Sequence, residues 1–254
     1  MQEDGASVTG RIFRSGEYAY GSFFVNGFAR KPAPEQSSED VLISLEYQVR
    51  VLDPEGVPIQ KEQSGQVRDR IREQDKDWRP KIRFQLLLPP APPSGTYHVE
   101  IHVKDDYASR EATAQIPFDV KGYDAPKVSE LTIANFRFQR TDRANEAPLA
   151  SPSYSIGDSV WVRFDVGGFQ LGPKNRYDVA LGLAVLDSSG KVLFEQPDAV
   201  QLSEEPEYPK RGLPGVLSVQ VAPGTAKAEY QFRVTAKDRV GDKTAEYTGR
   251  FRVE

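Results

Sequence analysis

Cysteine is absent from this 254-residue chain, which removes disulfides, thiolate metal sites and cysteine nucleophiles from consideration. Histidine and tryptophan occur twice each, and methionine once. A serine nucleophile needs a neighbouring base, and only His98 and His102 are available, both inside a run that alternates as a strand. There is no G-x-S-x-G, P-loop or dinucleotide-binding fingerprint. No apolar run approaches the ~20 residues that span a bilayer as a helix, so no transmembrane segment is expected. The first residues lack the charged, apolar, small-residue succession of an export signal, so any such signal is expected to have been removed or never present. A formal charge of -4 provides no general basic surface and argues against nucleic acid as the main partner.

What the chain does have is turn chemistry. Nineteen prolines and twenty glycines are spread along it, with few Ala/Leu/Glu runs at helical period. The length suits two domains of about 100–150 residues. An internal comparison points the same way. "HVKDDYASREATAQIPFDV" (His102 to Val120) returns as "TAKDRVGDKTAEYTGRFRV" (Thr235 to Val253), matching Lys104-Asp105 to Lys237-Asp238 and Phe118 to Phe251. "SGEYAYGSFFVNGF" aligns without gaps to "IGDSVWVRFDVGGF", and "VRVLDPEGVPI" aligns to "LAVLDSSGKVL". Three blocks in one order read as two copies of one domain.

Within each copy the apolar residues recur at period 2. Val41, Ile43, Leu45, Tyr47, Val49 and Val51 share a strand face, as do Tyr97, Val99, Ile101 and Val103. Tyr177, Val179, Leu181, Leu183 and Val185 do so in the second copy, followed by Tyr230, Phe232, Val234 and Ala236. With Asp/Gly/Pro turns between them, the expected fold is all-β: two tandem antiparallel β-sandwiches spanning 1–123 and 127–254. The second copy has a full leading segment, "LTIANFRFQRTDRANEAPLASPSY". The first starts almost at its second strand, its leading strand shortened or supplied by "ASVTGRIF".

The Tyr-x-x-Gly-(Asp/Glu) motif at a strand start, the "LDPEG" and "LDSSGK" hairpins, the "LPPAPPSGTYHVEIHVKD" stretch and the closing Phe-x-Val strand resemble bacterial extracytoplasmic Ig-like domains. Macroglobulin-type and fibronectin III-type modules are the nearest members. The resemblance implies immunoglobulin or fibronectin topology and an exported, non-catalytic scaffold or binding module in the periplasm, at the cell surface or secreted. The macroglobulin thioester needs a cysteine, so that trapping chemistry does not carry over.

Candidate sites are few. "HVEIH" places His98, Glu100 and His102 on one strand face, but His residues four apart lie roughly 13 Å apart at ~3.3 Å per residue, too far to share one ion. Asp105, Asp106 and Glu111 crowd one turn and are the weak calcium candidates, with Lys104 and Arg110 in the same loop and no D-x-D-x-D-G pattern. No other metal and no cofactor is expected. A hydrolase built on two facing carboxylates has 37 Asp and Glu to choose from, so no pair stands out.

Two surface features favour binding. Ala19, Gly21, Phe23 and Val25 align with inward residues of the second copy, which turns Tyr18, Tyr20 and Phe24 outward. Three aromatics on one outer face exceed what a solvated sheet needs; they suit packing against the neighbouring domain, a loop or the N-terminal segment, or contact with a protein partner, and a glycan is the alternative. "RDRIREQDKDWRPKIR" is basic where the second copy reads "SEEPEYPKR", and the two are expected as equivalent loops of opposite charge. Trp78 and Arg83 within it complete the expected partner surface, since a tryptophan among charges is usually anchored to something.

Overall fold

A computed structural model describes residues 10–34 and 39–254. The chain is all-β, with sixteen strands and a single 3-10 turn among the described residues. It divides into two compact units, 1–124 and 125–254.

The first unit holds β1 (Ile12–Arg14), β2 (Tyr18–Phe24), β3 (Lys31–Pro32), β4 (Asp40–Leu52), β5 (Gln63–Arg72), β6 (Lys81–Leu87), β7 (Gly95–Asp105) and β8 (Arg110–Lys121). One sheet runs β1-β8-β7-β4, with β3 and β5 also on β4; the other is the antiparallel pair β2-β6. Phe23 of β2 reaches across to Tyr47 of β4, their rings edge-on at 6.4 Å, so the two sheets enclose a core.

The second unit holds β9 (Thr132–Gln139), β10 (Ser153–Tyr154), β11 (Ser159–Gly167), β12 (Tyr177–Asp187), β13 (Val192–Glu204), β14 (Gly212–Gln220), β15 (Glu229–Asp238) and β16 (Lys243–Val253). Its sheets are β10-β16-β15-β12-β13 and β14-β11-β9. Val160, Val162, Phe164 and Val166 of β11 have no exposed surface and pack in one cluster with Val179, Leu181, Phe232 and Val234 of the facing sheet. Each such side chain contributes about 1.5–3 kcal/mol by leaving water. The β-branched and aromatic alternation is what selects strands here, since every second residue must fill the space between two sheets.

Sequence-matched positions make matching contacts. Asp53 Oδ1 accepts the backbone N–H groups of Glu55 and Val57, and Asp187 Oδ1 those of Ser189 and Lys191. The Tyr97 hydroxyl donates to the carbonyl of Pro93, and the Tyr230 hydroxyl to that of Ala226, both at 2.9 Å. A tyrosine at the start of a strand that bonds back to the preceding corner is a recurrent lock of immunoglobulin-type sandwiches. β1 lies parallel on β8 as β10 does on β16.

In "ASVTGRIF", Ile12 and Phe13 join Arg14 in β1, a short strand on β8 as β10 of the second copy's leading segment is on β16, while residues 6–9 lie outside the described residues. One expectation needs correction. The basic segment is not a loop in its first half. Arg68, Arg70 and Arg72 belong to β5, paired with β4, and the acidic counterpart begins inside β13, which carries Glu204.

Candidate functional site

β2 and β6 pair in antiparallel register, setting Tyr18 against Leu87, Tyr20 against Gln85, Ser22 against Arg83 and Phe24 against Lys81. Pleating sends Ala19, Gly21 and Phe23 inward and these residues outward. Tyr18 is 53%, Tyr20 40% and Phe24 57% exposed, with Leu87 beside Tyr18 exposed as well. The rings of Tyr18 and Tyr20 stack at 6.5 Å and 20°. Such a face offers flat apolar area with hydroxyls at its rim and positive charge from Arg83 and Lys81, the composition enriched at protein interfaces. The neighbouring cavity, lined by Tyr20, Gly21, Gln63, Arg83, Phe84 and Gln85, holds about 180 Å³. That is below the ~300 Å³ at which ligand pockets begin.

The edge of β2 adds a second property. Val25 N–H donates to Pro80 and Leu88 N–H to Glu17, which directs the backbone groups of the odd-numbered residues towards β6. The N–H and C=O groups of Tyr18, Tyr20, Ser22 and Phe24 therefore point to the opposite edge. No described strand pairs there. In the second unit the corresponding edge of β11 carries β9, with Trp161 opposite Gln139 and Arg163 opposite Arg137.

Trp78 does not join the aromatic face. It is half-buried, edge-on to Phe28 at 6.3 Å, and packs on the small cluster of Val41, Ile43 and Ile71. Its anchor is the first unit's own core. Trp78 lies in the connection between β5 and β6, whereas Arg83 lies on β6 itself, so one charged segment contributes to two different surroundings.

The carboxylates around "KDDYASRE" are engaged separately. Asp105 is buried; its Oδ2 accepts Ala29 N–H at 2.6 Å and its Oδ1 accepts those of Tyr107 and Ala108. Asp106 accepts the Ser44 hydroxyl at 2.7 Å, and that bond holds its carboxyl below the usual range, with the Lys104 ammonium contributing less. Glu111 lies 3.2 Å from the His102 ring. His98 sits on the same strand face as His102, as the spacing suggested. Among the described residues no three His, Asp or Glu side chains gather as a metal set. Asp238, matched to Asp105, repeats its arrangement: fully buried, with Oδ2 on Gln170 N–H and Oδ1 on Val240 N–H. Both aspartates tie a hairpin to the residue after one of two matched phenylalanines, Phe28 or Phe169, far away in sequence.

These features belong to a β-sandwich protein with an exposed aromatic face on β2 and β6 and, among the described residues, no strand paired to the outer edge of β2. No family model matches the chain, and no curated protein matches it either.

Proposed function

We propose that the chain is a non-catalytic, exported scaffold or protein-binding module of the bacterial cell envelope, built from two copies of one immunoglobulin- or fibronectin-type domain. The observation that carries the binding reading is the outer face of β2 and β6, where Tyr18, Tyr20, Phe24 and Leu87 are exposed together. Soluble domains seldom leave a contiguous aromatic patch on a sheet without a partner. The topology reading draws on the paired tyrosine locks, the paired Asp turns and the three-strand-over-longer-sheet layout of the second unit. The export reading follows from the family resemblance. The non-catalytic reading follows from the lack of a poised nucleophile and base in the sequence.

The test is capture of envelope proteins on the intact chain, compared with a Tyr18→Ala/Tyr20→Ala/Phe24→Ala variant. A retained protein that the variant no longer holds supports the reading. Nothing retained, or retention unchanged by the variant, counts against it. Saturable binding to a glycan array that disappears in Tyr20→Ala would favour a carbohydrate-binding module, and turnover of an ester or glycoside would overturn the non-enzyme assignment.

A further inference from the structure

The two units differ most where the second one has β9. There, Phe138 and Ile133 lie opposite Val162 and Val166, and both are buried. The carbonyl of Glu130, just ahead of β9, closes on Gly168, and the Phe136 and Phe138 rings both cover Gly249, where a Cβ would collide with both, most closely with Phe136. With β9 in place, Val162, Phe164 and Val166 have no exposed surface. At the matching positions of the first unit, Gly21, Phe23 and Val25 are only half-buried. Gly27, matched to Gly168, has nothing within 4 Å of an added Cβ. Ile116 stands at the position of Gly249 and is 42% exposed.

Edges of sheets are normally guarded. β5 carries Arg68, Asp69, Arg70 and Arg72, and Arg70 pairs with Asp40 at 2.7 Å. β13 is broken by two register shifts against β12 and contains Pro197. The sequence of β2, "YAYGSFF", has no charge and no proline. An unguarded edge with a half-buried inner face is a template for one more strand.

We propose that β2 accepts an extended strand from a partner polypeptide, laid antiparallel along its open edge in the register that β9 takes on β11. The second unit specifies the chemistry of that strand. Apolar side chains are needed opposite Gly21 and Val25, where Phe138 and Ile133 stand in the second unit. A glycine or alanine is needed at the place of Phe136, where the approach to Gly249 is tightest, and a ring at the place of Phe138 must swing aside or be smaller, because Ile116 occupies the space that Gly249 leaves free. On the outer side the strand meets Tyr20 and Phe24 in place of Trp161 and Asp165, so it is apolar there too, where β9 presents Gln139 and the Asn135 amide bonded to Asp165. The backbone bonds supply affinity and the alternating pockets supply selectivity, as in other strand-addition complexes. This deepens the protein-binding reading above and names its site.

The probe is a peptide of residues 131–141 with Gln139→Val and Asn135→Gly, which makes its outer side apolar, labelled at one end and titrated against the intact chain. Two versions are used, one otherwise unchanged and one with Phe136→Gly as well. The Phe136→Gly peptide is expected to bind saturably and at least about tenfold more tightly than the one that keeps Phe136, the ratio produced by about 1.4 kcal/mol of relieved crowding. Ile116→Gly in the protein should abolish that preference. Ser22→Pro removes an N–H that faces the open edge and none that faces β6, and should abolish binding while thermal unfolding of the protein stays cooperative. No saturable binding of either peptide overturns the proposal, as does binding that survives Ser22→Pro. Slow exchange of the Ser22 amide in the free chain also overturns it, because the chain or a second copy then already covers the edge. If the peptides fail while envelope capture still depends on Tyr18, Tyr20 and Phe24, the strand-addition proposal fails and the binding-module reading stands.

Discussion

Asp238→Ala should destabilise the second unit selectively, and its magnitude can be worked from the contacts. The carboxylate is fully buried and accepts two backbone donors, Gln170 N–H at 2.8 Å and Val240 N–H at 3.0 Å. Hydrogen bonds to an ionised group contribute about 1.5–3 kcal/mol each, and the orphaned amides add a desolvation cost. Against this stands the relief of no longer burying a carboxylate, which leaves a net loss of about 3–4 kcal/mol. A domain of this size has roughly 5–15 kcal/mol in total. The sequence offers a built-in reporter, because each unit contains one tryptophan, Trp78 in the first and Trp161 in the second. In a Trp78→Phe background, urea unfolding followed by Trp161 fluorescence isolates the second unit. With a slope near 2 kcal/mol per M, the midpoint should fall by roughly 1.5–2 M. Asp238→Asn retains one acceptor oxygen and turns an NH2 group towards the other amide, so it should lose about 2 kcal/mol or more. A midpoint shift below about 0.3 M for Asp238→Ala would refute the view that this side chain holds the β15–β16 hairpin to the end of β11.

Other perturbations follow from the same contacts. Tyr97→Phe and Tyr230→Phe should each cost about 1–1.5 kcal/mol in chemical denaturation, the contribution of one largely buried hydrogen bond. Burial pushes the Tyr154 hydroxyl, which donates to the Gln139 carbonyl at 2.9 Å, up to about 12. A raised folded-state pKa means its stabilisation is complete below pH 10 and is lost as pH rises from 10 towards 12, and alkaline unfolding should lose that component in Tyr154→Phe. Gly168→Ala should be far more damaging than Gly27→Ala. Both residues have φ near +70°, at +71° and +73°, but only at Gly168 does a Cβ run into the Glu130 carbonyl. About 1–2 kcal/mol is expected for Gly27→Ala from backbone strain alone and several more for Gly168→Ala, read from thermal melts.

Period-2 alternation made most strands legible, because strands buried on one face must place an apolar residue at every second position. The inward set of β7, Tyr97, Val99, Ile101 and Val103, is buried as its alternation predicted. The second half of β5 reads as a charged loop in the sequence for a physical reason. It belongs to an edge strand and buries only Ile71, and Arg68, Asp69 and Arg70 are exposed in succession, which erases the alternation. The outward direction of Tyr18, Tyr20 and Phe24 was legible from the block alignment. The openness of the β2 edge was not, since it depends on which strand lies beside it, a fact no local pattern carries. The same limit hid the second role of Asp105. Its turn bonds to Tyr107 and Ala108 are local, but its tie to Ala29 spans 76 positions.

The central claim is that, among the described residues, no strand pairs with the outer edge of β2, where β9 fills the matching edge of β11. Amide hydrogen exchange of the intact chain at low concentration tests this most directly. The account predicts that the Tyr20 and Ser22 amides exchange at least about a hundredfold faster than those of Trp161 and Arg163, a gap of ~2.7 kcal/mol in local opening. Equal protection of the two pairs would contradict it.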